Sequence, residues 1–288
     1  MRAQSLGADA WRRLRRNRMA VACGALFLCI AIFSFAGPLV AGWAAGLDGA
    51  TQDTRLGATA PSWQHWLGTD QLGRDMLVRT MDGGRVAILI GLTATLVALV
   101  IGVSWGAVAG YTGGRTDEVM MRIVDILYAF PTVVFVIVIM AVFRTRNLVV
   151  LFALIGGINW LTMSRIVRGQ VLSLRHREFV EAARCLGVST PRILYRHIVP
   201  NCLGPIIVYA TLSIPGVMLT EAFLSFLGLG VQAPRASWGT LVDEGSRLVA
   251  IYPWVLLGPG LAMSLTILAL NFLGDGLRDA FDPQLREE

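Results

Sequence analysis

The sequence predicts an all-α membrane protein, a bundle of six spanning helices, and three observations lead there. Hydrophobic residues make up 55% of the 288 residues and the mean hydropathy is +0.62, more apolar than soluble domains. Uncharged runs recur along the chain, each long enough to cross or nearly cross about 30 Å of hydrocarbon. The charges between the runs are unequally shared. All 25 basic residues are Arg, a composition bias without functional meaning. With six spans, six arginines of the N-terminal segment, two of the first inner connection, seven of the long inner segment and two of the tail fall on one side, and eight on the other. The positive-inside rule then puts both termini in the cytoplasm. Orientation therefore accounts for the net charge of +6, and no nucleic-acid partner is needed.

Residues 11–18, WRRLRRNR, precede the uncharged run 19–43. That run is longer than a signal-peptide apolar region and has no small-residue cleavage site, so it reads as an uncleaved first span. Residues 1–18 form a cytoplasmic, interfacial segment with Trp11 at the membrane surface. Residues 44–84 make a polar outer loop too short for its own core. Its one histidine, His65, lacks a second ligand nearby and reads as structural rather than metal-binding. The second span, 86–110, carries Gly102, Gly106 and Gly110 at every fourth position, a small-residue stripe that predicts a closely packed neighbouring helix.

Residues 111–122 form a short inner connection to a third span, 123–143, with Asp125 near its inner end and Pro131 further out. A carboxylate within a span is a functional candidate, but Arg122 lies within a turn, so an ion pair or cap is the simpler reading. A tight outer turn at 144–147 leads to a fourth span, 148–163, and residues 164–197 lie inside. The fifth span, 198–220, contains Pro200, Pro205 and Pro215, whose kinks free carbonyls that need partners. A second outer segment, 221–252, precedes the sixth span, 253–274, and an inner tail. The membrane domain is thus 19–288.

Between the fourth and fifth spans stands a charged elbow, residues 178–200, EFVEAARCLGVSTPRILYRHIVP. Its Glu and Ala residues favour a helix to about residue 186, which Gly187 ends by taking φ > 0. Ser189 or Thr190 as N-cap and Pro191 at the first helical position then start a second helix. It runs through Arg192 and Arg196 into the fifth span. Such an elbow belongs in water, against another surface.

No catalytic constellation is present: no Gly-rich phosphate loop, no His/Glu metal pair on a helix, no Gly-x-Ser-x-Gly turn. Cys23, Cys29, Cys185 and Cys202 have no metal-ligand spacing and read as small apolar filler. The chain moves something rather than changes it, and its energy source is external. A carrier or channel working alone, or an accessory scaffold, are the alternatives; carriers show inverted repeats and midplane polar residues, and neither is found.

EAARCLG, followed after nine residues by HIVP, resembles the EAA signature of permease subunits of bacterial ATP-binding-cassette importers. Glu181, Ala182, Ala183, Gly187 and Pro200 match it; His197 and Val199 stand where the general pattern has Ile and Leu. Such a His is common in the dipeptide and oligopeptide branch. HWLGTDQLGRD (65–75), SFLGLGVQAP with SWGTL (225–241) and NFLGDGLRDAFDP (271–283) point to the same branch, closest to its C-type oligopeptide subunits. The resemblance implies the six-span type I importer fold and a homologous second permease, with the path between the two. It also implies two ATPase subunits holding ATP and Mg, and a binding protein delivering peptide from outside; this chain itself holds no cofactor. Nickel and glutathione permeases of related branches are alternatives. The elbow becomes the coupling helix, with Glu178, Glu181, Ala182, Ala183, Arg184 and Gly187 expected to meet or shape the ATPase contact. Asp70, Arg74 and Asp75 in the first outer segment, and Asp243 and Glu244 in the second, are expected to dock the binding protein.

Overall fold

The computed structural model describes residues 6–143 and 148–281; the expected turn at 144–147 and the end of the tail lie outside the described residues. The amphipathic helix α1 (Leu6–Arg16) leads to α2 (Arg18–Ala45), whose N-cap Asn17 accepts a hydrogen bond from the Ala20 N–H at 3.1 Å. An irregular outer loop ends at Asp75, which accepts from the Val78 N–H at 3.0 Å and starts α3 (Met76–Thr112). Gly113 and Gly114, with φ of 65° and 54°, turn the chain into α4 (Gly114–Tyr128). Next come α5 (Thr132–Phe143), α6 (Leu148–Leu174), α7 (Glu178–Cys185) and α8 (Thr190–Ile193). A π turn (Leu194–Ile198) and a 3-10 turn (Val199–Cys202) join α8 directly to α9 (Leu203–Phe226); α10 (Trp238–Leu248) and α11 (Pro253–Phe281) complete the order.

Among the described residues, α2, α3, the continuous helix 190–226 and α11 are long and apolar enough to cross a membrane, and the pair α4–α5 would make a fifth. That pair is not the straight third span expected: its halves meet at 82°. Pro131 has no N–H to donate and disfavours helical backbone at Phe130, so the helix stops before it. Other helices outrun the expected spans. α3 begins ten residues before residue 86, and α6 and α11 run on to 174 and 281. The reason is that missing charge marks the lipid-immersed part of a helix, whereas Arg, Asp and Glu extend helices readily into water. Beside Pro200 the Asn201 side-chain amide donates to the His197 carbonyl at 2.5 Å, adding a polar contact where the helix is irregular.

The glycine stripe of α3 lies against α6. A Cβ on Gly102 would stand 2.8 Å from the Trp160 carbonyl oxygen, on Gly106 2.2 Å from that of Ser164, and on Gly110 2.9 Å from that of Arg168. Gly156 reciprocates from α6, its Cβ position 2.8 Å from the Ala94 oxygen. The two helices approach this closely because each glycine leaves room for the carbonyls and the Met163, Val171 and Val97 side chains of its neighbour.

Gly106→Leu is therefore expected to force α3 and α6 apart, lowering the thermal midpoint of the detergent-extracted protein by the equivalent of about 1–3 kcal/mol or more. Val100→Leu, on the exposed face of the same helix, is expected to leave the midpoint unchanged; equal midpoints for both variants would remove the seam from the fold's requirements.

Candidate functional site

The elbow is two-faced. Val180 and Ala183, three residues apart on one side of α7, are buried with Ile193, Leu194 and Ile198 against Ala107, Val167 and Val171 at the inner ends of α3 and α6. Glu178, Glu181, Ala182 and Cys185 point outward, and Leu186 is 81% exposed. The expected break is present. Gly187 has φ of 72°, its N–H bonds the Arg184 carbonyl at 2.9 Å and the Val188 N–H bonds that of Ala183 at 3.1 Å, which closes the last turn of α7. Ser189 is the N-cap of α8 and Pro191 lies in its first turn, though the Ser189 hydroxyl makes no capping bond.

Arginines fasten the elbow to the bundle. Arg184 Nε donates to Tyr111 Oη at 3.1 Å, with its guanidinium 5.0 Å from the ring centre. Arg175 donates to the Gly110 carbonyl at 3.2 Å, and Arg168 grips Asp117 of α4 through two bonds of 2.6 Å. Of the six residues expected at the coupling contact, Glu178, Glu181 and Ala182 form an open surface. Ala183 faces the bundle instead, Arg184 is engaged with Tyr111, and Gly187 shapes the turn. Leu186 and Phe179, which is 40% exposed, are the surface residues missed; apolar side chains on the outer face of so polar a helix were the available signal. Asp125 does form an ion pair, but with Arg165 of α6 at 2.7 Å rather than with Arg122.

At the outer end the expected docking residues have another role. Asp70, Arg74 and Asp75 are buried. Asp70 accepts from the backbone N–H groups of Leu72 and Arg74 at 2.9 and 3.0 Å, from Arg74 Nε at 2.7 Å and from Arg79 Nη1. Asp75 holds His65 Nδ1 at 2.8 Å besides capping α3. These carboxylates are consumed inside the loop, so they shape it and offer little to a partner. Glu244 on α10 reaches Arg79 at 3.0 Å yet keeps 44% of its side chain exposed; Asp243 pairs with Arg247 at 3.0 Å. Trp238 and Trp254 donate to the carbonyls of Thr80 and Thr69 at 2.8 and 3.1 Å, pinning the outer ends together. Glu221, buried at the end of α9, accepts from Ser225 and Ser237 hydroxyls at 2.9 and 2.6 Å. An acid ending an uncharged run was its only mark in the sequence.

The family model described as the inner membrane component of binding-protein-dependent transport systems matches residues 102–287, the elbow included. The chain belongs to that permease family. A second model, the N-terminal transmembrane domain of oligopeptide transport permease C, matches residues 5–57. The permease is 44% identical to the oligopeptide transport system permease protein OppC of Haemophilus influenzae, covering 99% of this chain and 91% of the relative. It is 45% identical to that of Bacillus subtilis over 98% and 91%, and 42% identical to the dipeptide transport permease DppC of the same species over 96% and 86%. Among solved structures it resembles a chain of the methionine transporter MetNI in inward-facing conformations, with TM-score 0.52 and 18% identity over 72% of the permease and 96% of that chain, a likeness of fold. It is thus a multi-pass inner-membrane permease of the OppC type and a non-catalytic subunit.

Replacing Asp70 by Asn leaves Arg79 buried beside a neutral partner. The expected loss is on the order of 3–5 kcal/mol, read as a lowered thermal midpoint and faster proteolysis at residues 46–75. Glu244→Gln, half in water, is expected to cost little. Equal effects of the two would show that Asp70 is not the hub.

Proposed function

We propose that this permease forms one half of a peptide path through the inner membrane and transmits ATP hydrolysis to it through the elbow. The other half is a homologous second permease, two ATPase subunits holding ATP and Mg engage from the cytoplasm, and a binding protein delivers peptide from outside. The observation that carries the reading is the elbow itself, a capped, doubly anchored projection whose exposed face is acidic and apolar at once. A solvated connector has no use for an exposed Leu186 beside Glu178 and Glu181, whereas a cleft with a basic rim and an apolar floor would take all three. The names of the relatives support peptides as cargo.

In this reading α6, 27 residues long and sealed to α3, also spans the membrane, the fourth span in chain order and the one that brings the count to six. Both termini and the elbow then lie in the cytoplasm, and 19–288 is the permease domain. Glu178, Glu181 and Ala182 meet the ATPase, Ala183 and Arg184 hold the contact surface to the bundle, and Gly187 sets its angle. On the outer face, the binding protein meets the first loop through Trp63 and Trp66, 97% and 69% exposed, and the second outer segment through Glu244 and Asp243. Asp70, Arg74 and Asp75 keep that surface in shape.

The test is a reconstituted transporter with peptide-loaded binding protein. A Cβ on Gly187 meets nothing within 4 Å, so substitution acts through backbone strain alone. Gly187→Val, β-branched at φ > 0, is expected to reach normal membrane levels yet lose peptide-stimulated ATP hydrolysis, whereas Gly187→Asn, which tolerates that region, retains most of it. Full stimulation with Gly187→Val would reduce the elbow to a connector, and peptide uptake by the permease alone in liposomes would favour a self-sufficient carrier.

A further inference from the structure

The lipid-facing surfaces are recognisable by what they expose. Leu28, Ile32 and Leu39 of α2, Leu92, Leu96 and Val100 of α3, and Leu257, Leu261 and Leu268 of α11 are all between 45% and 70% exposed, and all are aliphatic. A different surface combines hydroxyls, aromatic rings and an ion pair. Where α4, α6 and α9 adjoin, Tyr128 Oη lies 3.3 Å from Thr162 Oγ1, with Tyr209 beside Thr162. Arg165 lies 2.7 Å from Asp125 and 4.4 Å from the centre of the Tyr128 ring. The side chains of Arg165 and Asp125 are 43% and 54% exposed.

The depth of this patch is fixed by the α3–α6 seam. Ala98, midway along the uncharged run 86–110, packs in one cluster with Trp160 and Leu161. The seam sets Trp160 and Met163 against Gly102 and Ser164 against Gly106. Thr162 therefore lies level with Gly102, about one turn to the inner side of the run's midpoint. Arg165 and its partner lie about one turn further in, still within the depth of the uncharged run. These polar groups at spanning depth were not legible in the sequence, because Arg165 reads from sequence as the start of an inner segment. An exposed ion pair at this depth is costly in lipid, and such groups face protein or a water-filled cavity.

We propose that Tyr128, Thr162, Arg165, Asp125 and Tyr209 line the water-filled path and form a weak contact site for the backbone and charged ends of a passing peptide; this rests on the peptide-path reading above. Hydroxyls exchange donor and acceptor roles with amide groups at little cost. Arg165 and Asp125 neutralise one another, so the wall offers both signs of charge to peptide termini without holding an unpaired charge that would trap one of them. A surface meant only to seal against a second permease in lipid would be built from small residues and uncharged hydrogen-bonding side chains, with no use for an exposed Arg–Asp pair.

The experiment uses the fully assembled transporter in proteoliposomes, with Cys23, Cys29, Cys185 and Cys202 replaced by Ser or Ala, and uptake of radiolabelled tetra-alanine as readout. Thr162→Cys and Leu96→Cys are exposed to a charged, membrane-impermeant thiol reagent, which reacts with the thiolate formed in water. The expected result is labelling of Thr162→Cys with loss of tetra-alanine uptake, and no labelling of Leu96→Cys. No labelling at residue 162 in the assembled complex would place the patch under the second permease, and labelling that leaves uptake intact would place it outside the path; either overturns the inference. As a second variant, Thr162→Trp is expected to lose uptake at unchanged complex yield, and unchanged uptake would count equally against it. Failure of the unsubstituted transporter to take up tetra-alanine or any longer peptide would instead overturn the peptide reading, while the labelling would still report whether the patch is wet.

Discussion

Contact between the backbones of α3 and α6 fixes the inner half of this permease. In lipid no hydrophobic force drives one apolar helix onto another, so association rests on close packing. Gly102, Gly106 and Gly110 let the carbonyls of Trp160, Ser164 and Arg168 approach where a Cβ would stand. Because the seam occupies one face of α6, its rotation is set. Met163, Val167 and Val171 turn inward, and Thr162 and Arg165 are left on the open side. The same pairing aligns the inner ends of α3 and α6 into an apolar bed for Val180 and Ala183. The elbow's position is thus inherited from three glycines on the inner half of α3, the last of them next to Tyr111, which holds Arg184.

The outer half is held by a different kind of interaction. Asp70, Arg74, Arg79 and Glu244 join the loop 46–75 to α3 and α10 across water-facing structure, where no lipid forbids charge. Burying such groups is unfavourable unless every one is paired and hydrogen-bonded, and Asp70 meets that condition by accepting from two backbone N–H groups and two guanidinium groups. The indole donors of Trp238 and Trp254 add fixed points on Thr80 and Thr69. A loop tied this tightly presents its surface tryptophans in one arrangement, which limits the ordering entropy lost when a partner docks.

The elbow was legible in the sequence because its signals are local: Gly187 can only end a helix cheaply, and Ser189, Thr190 and Pro191 can only begin one. The glycine stripe was legible as a demand for a neighbour, though its spacing could not say that α6 supplies it. Helix ends were not legible from hydropathy, since Arg79 and Arg278 leave the lipid without leaving the helix. The misassigned residues share one cause. Asp70, Arg74 and Asp75 read as loop surface because their polarity suits water, yet Arg79 lies nine residues beyond Asp70 and Glu244 reaches it from 165 residues beyond Arg79. Asp125 found Arg165 in preference to Arg122 for the same reason: polar residues pair with whatever tertiary packing brings near, not with what is adjacent in sequence.

Two routes lead upward from the elbow, and they diverge around the polar patch. Arg184 ties α7 to Tyr111 and so to α3, which moves with α6 through the seam. Past Gly187, α8 continues into α9 as one helix of 37 residues. That helix is interrupted only by the π and 3-10 turns before Pro205, where backbone hydrogen bonding is weakest and a bend costs least. If an ATPase displaces the elbow, α3 and α6 move as one body while α9 moves through a joint. The boundary between those bodies runs along α6 and α9, where Tyr209 stands beside Thr162. Under the coupling proposed above, a displacement that leaves the seam intact would be read at this boundary as a change in the spacing of these two residues.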